Sequence, residues 1–208
     1  MQATRYKFFE LLIIFIFIPI SFAFAYPPIL KLVIGLLGFG YITYVLFKIE
    51  KIKVRIEKNS NWRTFWKLTG IKFLGIVIVT SLFVWLTDKE SLFSVLLNKP
   101  KLWALILLFY SLFSVYPQEL LYRTFFFKRY KMLVKNEYIF IFINALLFSL
   151  AHLFFKNMLV LLLTFVGGIL FAFTFKKTKS TFLVSIEHSI YGCWLFTIGM
   201  GNMLGFPS

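Results

Sequence analysis

The sequence predicts an all-α fold: a polytopic membrane helix bundle of about seven transmembrane helices around a polar intramembrane cavity. Three observations carry this. Of 208 residues, 60% are hydrophobic and the mean hydropathy is +0.85. Only 15% are charged, against about 25% in an ordinary soluble domain. The cations, finally, lie in clusters that separate apolar runs, as loops do on the cytoplasmic side of a membrane. A water-soluble globule of this length has nowhere to hide so much apolar surface, and a disordered chain is far more polar. One cysteine excludes a disulfide framework and a cysteine-rich zinc site.

A spanning helix needs about 20 mostly apolar residues. The first candidate is residues 8–25, followed by the turn Tyr26-Pro27-Pro28 and a second span over 29–47. Arg5 and Lys7 ahead of the first run, and Ala23-Phe24-Ala25 after it, imitate a cleaved leader. The run is long for one and another span follows at once, so it reads as a retained helix. Next comes the basic stretch Lys48 to Lys67, where Trp62 and Trp66 suit a segment lying at the interface. Further spans follow over 68–86, 102–127 (through Pro117), 138–155, 158–175 and 181–198. Residues 1–208 show no internal repeat or linker and read as a single integral membrane domain.

The formal charge of +15 invites a nucleic-acid reading. Its distribution argues against one. Eight cations lie between Lys48 and Lys72, four between Lys128 and Lys135, and three between Lys176 and Lys179. With Arg5 and Lys7, a cytoplasmic N-terminus places seventeen of the 23 Lys and Arg on the inner side. The expected location is a cell's inner (cytoplasmic) membrane, with the lipid bilayer as a partner and no nucleic acid.

Ionisable groups within a bilayer are costly and point to function by default. Two of the eight acids, Glu119 and Glu187, lie deep in apolar sequence. Both histidines, His152 and His188, and also Arg123, share that setting. Five such groups on three spans suggest one polar centre. Glu119 and Arg123 are four apart, hence on one helix face and able to pair. Asn144, Phe148 and His152 follow one another at the same interval, and Pro117 removes a backbone hydrogen bond just before Glu119. Taken singly, each has a plainer reading: a structural ion pair for Glu119 and Arg123, a hydrogen-bonded packing residue for His152, a snorkelling pair for Glu187 and His188, packing for Phe148 and Cys193. At 1.5 Å per residue, Glu119 falls ~12 Å and His188 ~10 Å from the inner ends of their spans, but His152 ~21 Å. A tilted helix, or one projecting into the cytosol, is expected to reconcile them.

Three patterns occur in order: Gln118-Glu119-x3-Arg123, Phe148-x3-His152, and His188-x3-Gly192. Together they resemble the motifs of the CPBP group, the CAAX-protease and bacteriocin-processing (Abi-like) intramembrane proteases, over residues 102–200. That resemblance implies a bundle whose polar cavity opens to the cytoplasmic side. It also implies hydrolysis of a peptide bond in a hydrophobic or lipidated substrate. Glu119 and His152 would activate the attacking water, His188 would stabilise the oxyanion, and Arg123 would hold Glu119. Gln118, Asn144, Phe148 and Glu187 would support the site or line the substrate. Gln118 stands where the group's first Glu sits, and Gly192 where Asn or Asp follows the histidine.

Glu119, His152 and His188 are also a possible ligand set for a divalent metal such as Zn2+. Metal-bound water and Glu-activated water both remain open on sequence alone. A non-catalytic relative, a scaffold or bacteriocin-immunity protein binding a peptide in the same cavity, is the second reading. A small transporter is the third; it lacks the paired broken helices and inverted repeats of that class.

Overall fold

In the computed structural model, residues 4–52 and 61–204 are described. The centre of the basic stretch, residues 53–60, lies outside the described residues. Among the described residues there are helices and turns and no strand. The helices are α1 (residues 4–22), α2 (Pro28–Ile49), α3 (Trp62–Thr87), a short α4 (Ser94–Asn98), α5 (Pro100–Leu133), α6 (Glu137–Leu150), α7 (Met158–Thr178) and α8 (Thr181–Ile198).

The protein is a multi-pass, all-helical membrane protein. Among the described residues, five helical segments are long and apolar enough to cross a bilayer: Pro28–Ile49, Trp62–Thr87, Pro100–Leu133, Glu137–Phe155 and Met158–Thr178. The other two expected spans, in α1 and α8, are helical but outside that set. Their sequences carry the reason. Residues 4–22 begin with Arg5, Lys7 and Glu10, and α8 holds Glu187 and His188, which lowers its apolar average.

Local signals set the boundaries. Asn61, Asn136, Asn157 and Ser180 each turn a side-chain oxygen onto the first free amides of α3, α6, α7 and α8. Because Asn61 caps it, α3 begins at Trp62. The tryptophans expected in an interfacial segment are thus part of the spanning helix itself. Prolines shape the interiors of α1 and α5. A proline lacks an amide proton and its ring collides with the carbonyl four residues back. In both helices a wide, π-type turn directly precedes the segment carrying the proline: Ile13–Phe17 before Pro19, and Tyr110–Val115 before Pro117. A second wide turn, Leu120–Phe125, follows Glu119. Such turns mark functional positions in helices.

The chain divides into two compact units, Met1–Arg55 with Gln118–Lys179, and Ile56–Pro117 with Ser180–Ser208. The first has an aromatic core. Phe15 on α1 is fully buried, with Tyr122 and Phe126 edge-on at 5.2 Å and Tyr130 at 5.8 Å. Phe127 meets Phe140 of α6 at 5.0 Å and Phe175 of α7 at 5.1 Å. Helices α6 and α7 approach very closely at Gly168, where an added Cβ would stand 2.9 Å from Cα of Ala145. In the second unit, Tyr191 of α8 stacks on Phe73 of α3 at 6.2 Å, and Trp194 donates to Thr80 at 2.9 Å. Val95, Ile106 and Phe196 form a small apolar cluster there.

Two cations assigned above to topology have another role. Arg129 is 1% exposed and donates to Glu10 (2.8 and 3.2 Å) and Glu50 (2.8 Å). Tyr130 and Tyr41 also donate to Glu10. This network ties α1 and α2 to the end of α5. Lys72, the last of the first cluster, lies inside α3 and reaches Glu187.

Candidate active site

The first unit places Glu119 and Arg123 at the centre of α5. Both are fully buried, and Arg123 Nε stands 3.2 Å from Glu119 Oε2. The i,i+4 pairing read from sequence is present. The guanidinium is held from a second helix: Nη1 donates to Asn144 Oδ1 at 2.6 Å, while Asn144 Nδ2 donates to the Tyr122 carbonyl at 2.8 Å. Asn144 thereby satisfies one side-chain group of Arg123 and the backbone carbonyl just before it. Phe148 lies beneath the guanidinium at 4.9 Å and Phe171 of α7 at 5.9 Å, so the charge sits on two π faces.

His152 is not on the helix. α6 ends at Leu150, and His152 occupies the turn before the short 3-10 helix Leu153–Phe155. Its Nδ1 reaches back 2.8 Å to the Phe148 carbonyl. A carbonyl only accepts, so Nδ1 is the donor of this contact, and in a neutral imidazole Nε2 is then the accepting nitrogen. The Phe148 ring, 5.0 Å from the imidazole, links it to the arginine's aromatic bed. The stripe of Asn144, Phe148 and His152 therefore survives, but its last member hangs from the helix end.

The depth mismatch between Glu119 and His152 disappears. Placing the end of the fourth span at Phe127 was too early, because α5 continues to Leu133 and only a three-residue turn separates it from Glu137. Glu119 is then about 21 Å from its helix end, as His152 is from Tyr138.

The second unit holds Glu187 and His188. Glu187 is fully buried; Lys72 Nζ lies 2.7 Å from its Oε1, and the Tyr191 hydroxyl 2.8 Å from the same oxygen. It is an interior ion pair and does not snorkel. His188 is 6% exposed, and the Tyr110 ring meets it edge-on at 6.0 Å. Cys193 is a packing residue, with Ser111 Oγ 3.5 Å from its sulfur.

Among the described residues, no three His, Cys, Asp or Glu side chains are grouped to hold a metal ion. Within the first unit Glu119 and His152 are two donors, and the carboxylate is already engaged by a guanidinium. A tetrahedral catalytic zinc takes three protein ligands. Within that unit the described side chains do not compose such a set, and no step below is routed through a metal.

These residues sit in a segment that can be assigned. Residues 100–194 match the family model described as "Rce1-like: Type II CAAX prenyl endopeptidase Rce1-like". Over this segment the chain is similar to the CAAX-protease family. It runs from the start of α5 into α8 and contains Glu119, Arg123, Asn144, Phe148, His152, Glu187 and His188. Neither the curated proteins nor the solved structures include a match to the chain. Lys72, Glu10 and Glu50, which pair with buried groups of the matched segment, lie outside it. Sequence reasoning missed Lys72, Arg129 and Tyr110. The first two were hidden among loop cations, although a lysine eleven residues after Asn61 and its cap is already inside an apolar helix.

Proposed function

We propose that the protein is an intramembrane endopeptidase that hydrolyses a peptide bond of a hydrophobic or lipidated substrate. The observation that carries this reading is the state of Glu119. A carboxylate with no solvent exposure is kept in the bilayer beside Arg123, whose own position is fixed by Asn144. Such an arrangement holds a carboxylate base in a fixed orientation.

In this mechanism Glu119 takes a proton from a water molecule as the water oxygen attacks the scissile carbonyl carbon. His152, oriented by the Phe148 carbonyl, assists the proton transfers to the departing amine. His188 donates a hydrogen bond to the developing oxyanion. Arg123 holds Glu119, and Asn144 and Phe148 hold Arg123. Gln118, beside Glu119, and Glu187, paired with Lys72, support the two helices. Glutamine cannot accept a proton as a base does, so the work falls on Glu119. The distribution of Lys and Arg supports an N-terminus in the cytoplasm and a place in the cytoplasmic membrane.

The test uses the purified full-length protein and a farnesylated Cys-a-a-X reporter peptide. Glu119→Gln, His152→Ala and His188→Ala are each expected to abolish cleavage while retaining the elution profile and Tm of the parent. Cleavage persisting in all three refutes the mechanism.

A further inference from the structure

Tyr110 opens the first wide turn of α5 and takes no part in the mechanism above. Its ring packs against the Val95, Ile106 and Phe196 cluster and meets Phe196 edge-on at 4.9 Å. The phenol then continues to α8. A Cβ built on Gly192 would stand 2.0 Å from the Tyr110 hydroxyl oxygen and 2.5 Å from Cε1 and Cζ. Every residue other than glycine therefore displaces the phenol. Glycine is among the least favourable residues inside a helix, and here the tyrosine explains it.

The position matters because of its neighbour. His188 and Gly192 are one turn apart on the same face of α8, and the Tyr110 ring stands 6.0 Å edge-on from the imidazole. The phenol lies over the very turn that presents His188. The hydroxyl end of the ring thus stands at the part of α8 that carries His188. A phenol is also a donor that brings no net charge into the bilayer, while its ring is at home among Phe196 and Ile106.

We infer that Tyr110 is a further catalytic residue: beside His188, its hydroxyl donates a hydrogen bond to the carbonyl oxygen of the scissile peptide as that oxygen gains negative charge. This rests on the proteolytic reading above. The hydroxyl keeps its proton throughout, and no bond to tyrosine forms or breaks. Its effect is that of a donor already aimed at the place where charge develops.

The experiment compares turnover of the farnesylated Cys-a-a-X reporter by the full-length protein and its variants. Tyr110→Phe keeps the ring and removes only the donor. It is expected to lower kcat by about 100-fold, the usual effect of losing one oxyanion donor, with KM and Tm unchanged. Tyr110→Ala is expected to lose as much activity, and Gly192→Ser in that background to recover part of kcat. A serine hydroxyl, one bond beyond Cβ, falls close to the place the phenol oxygen occupies. Wild-type kcat in Tyr110→Phe, with Glu119→Gln inactive, overturns the inference and leaves the proteolytic reading standing. So does a loss in Tyr110→Phe that comes with a lowered Tm and is not recovered in the Gly192→Ser double variant. If Glu119→Gln cleaves as the parent does, the proteolytic reading fails and takes the inference with it.

Discussion

Replacing Asn144 by leucine keeps the volume and removes two hydrogen bonds between α6 and α5. Two groups lose their partner: the Nη1 of Arg123, at 2.6 Å from the amide oxygen, and the Tyr122 carbonyl, at 2.8 Å from the amide nitrogen. Asn144 is wholly buried, so no solvent replaces it. An orphaned neutral group costs about 1–3 kcal/mol and a charged one lies at the upper end or above. Together these give about 3–5 kcal/mol. For a chain of this length, each kcal/mol shifts Tm by about 2–4 °C, so Asn144→Leu is expected to melt about 6–20 °C below the parent in the same detergent. Asn144→Asp separates the two halves of the effect. It keeps an acceptor for Arg123 but sets a carboxylate oxygen against the Tyr122 carbonyl, and should fall between. Reporter cleavage should drop in Asn144→Leu at temperatures where it is still folded, because Arg123 is no longer held. A Tm within about 2 °C of the parent would show that Asn144 does not bear on α5 as described.

Two other predictions concern the frame around the site. Arg129→Met leaves Glu10 and Glu50 without the guanidinium that pairs with both, and losing one member of a buried ion network costs about 3–5 kcal/mol. The Tm should fall accordingly, and Glu10→Gln in the same chain should recover part of it; a full-strength Tm in Arg129→Met refutes the buried network. Gly168→Val places a branched side chain against the Ala145 backbone, 2.9 Å from where its Cβ must go. It should cost about 1–3 kcal/mol or more through overpacking, read as lost thermal stability, whereas Val166→Ala two residues away on an exposed position should leave Tm nearly unchanged.

How much of this was legible in the sequence depended on distance along the chain. Glu119 with Arg123, and Asn144 with Phe148, lie within one helix, and helical spacing alone brings each pair to a common face. Lys72 with Glu187, and Arg129 with Glu10, are separated by 115 and 119 positions. No periodicity connects them, and positional statistics filed both cations with the loops. The end of α5 was misjudged for a related reason. Lys128, Arg129 and Lys131 look like a loop in one dimension, yet Arg129 is inside because Glu10 meets it there. His152 escaped its helix because Asn157 starts the next one, leaving the intervening residues to form a tight turn. Tyr110 could not be found from the sequence, since its significance lies in the space above Gly192.

The pairing of buried charges also bears on how the chain enters the membrane. Glu119 and Arg123 sit one turn apart on a single helix, so α5 carries its own neutraliser and can be handed to lipid before α6 has been made. Arg129 finds its carboxylates in α1 and α2, which have already left the ribosome. Lys72 also waits, from the synthesis of α3 until α8 brings Glu187, 115 positions later. During that interval it has a recourse that the interior groups lack: with 26% of its side chain exposed even in the finished protein, its long flexible stem can reach toward polar surroundings.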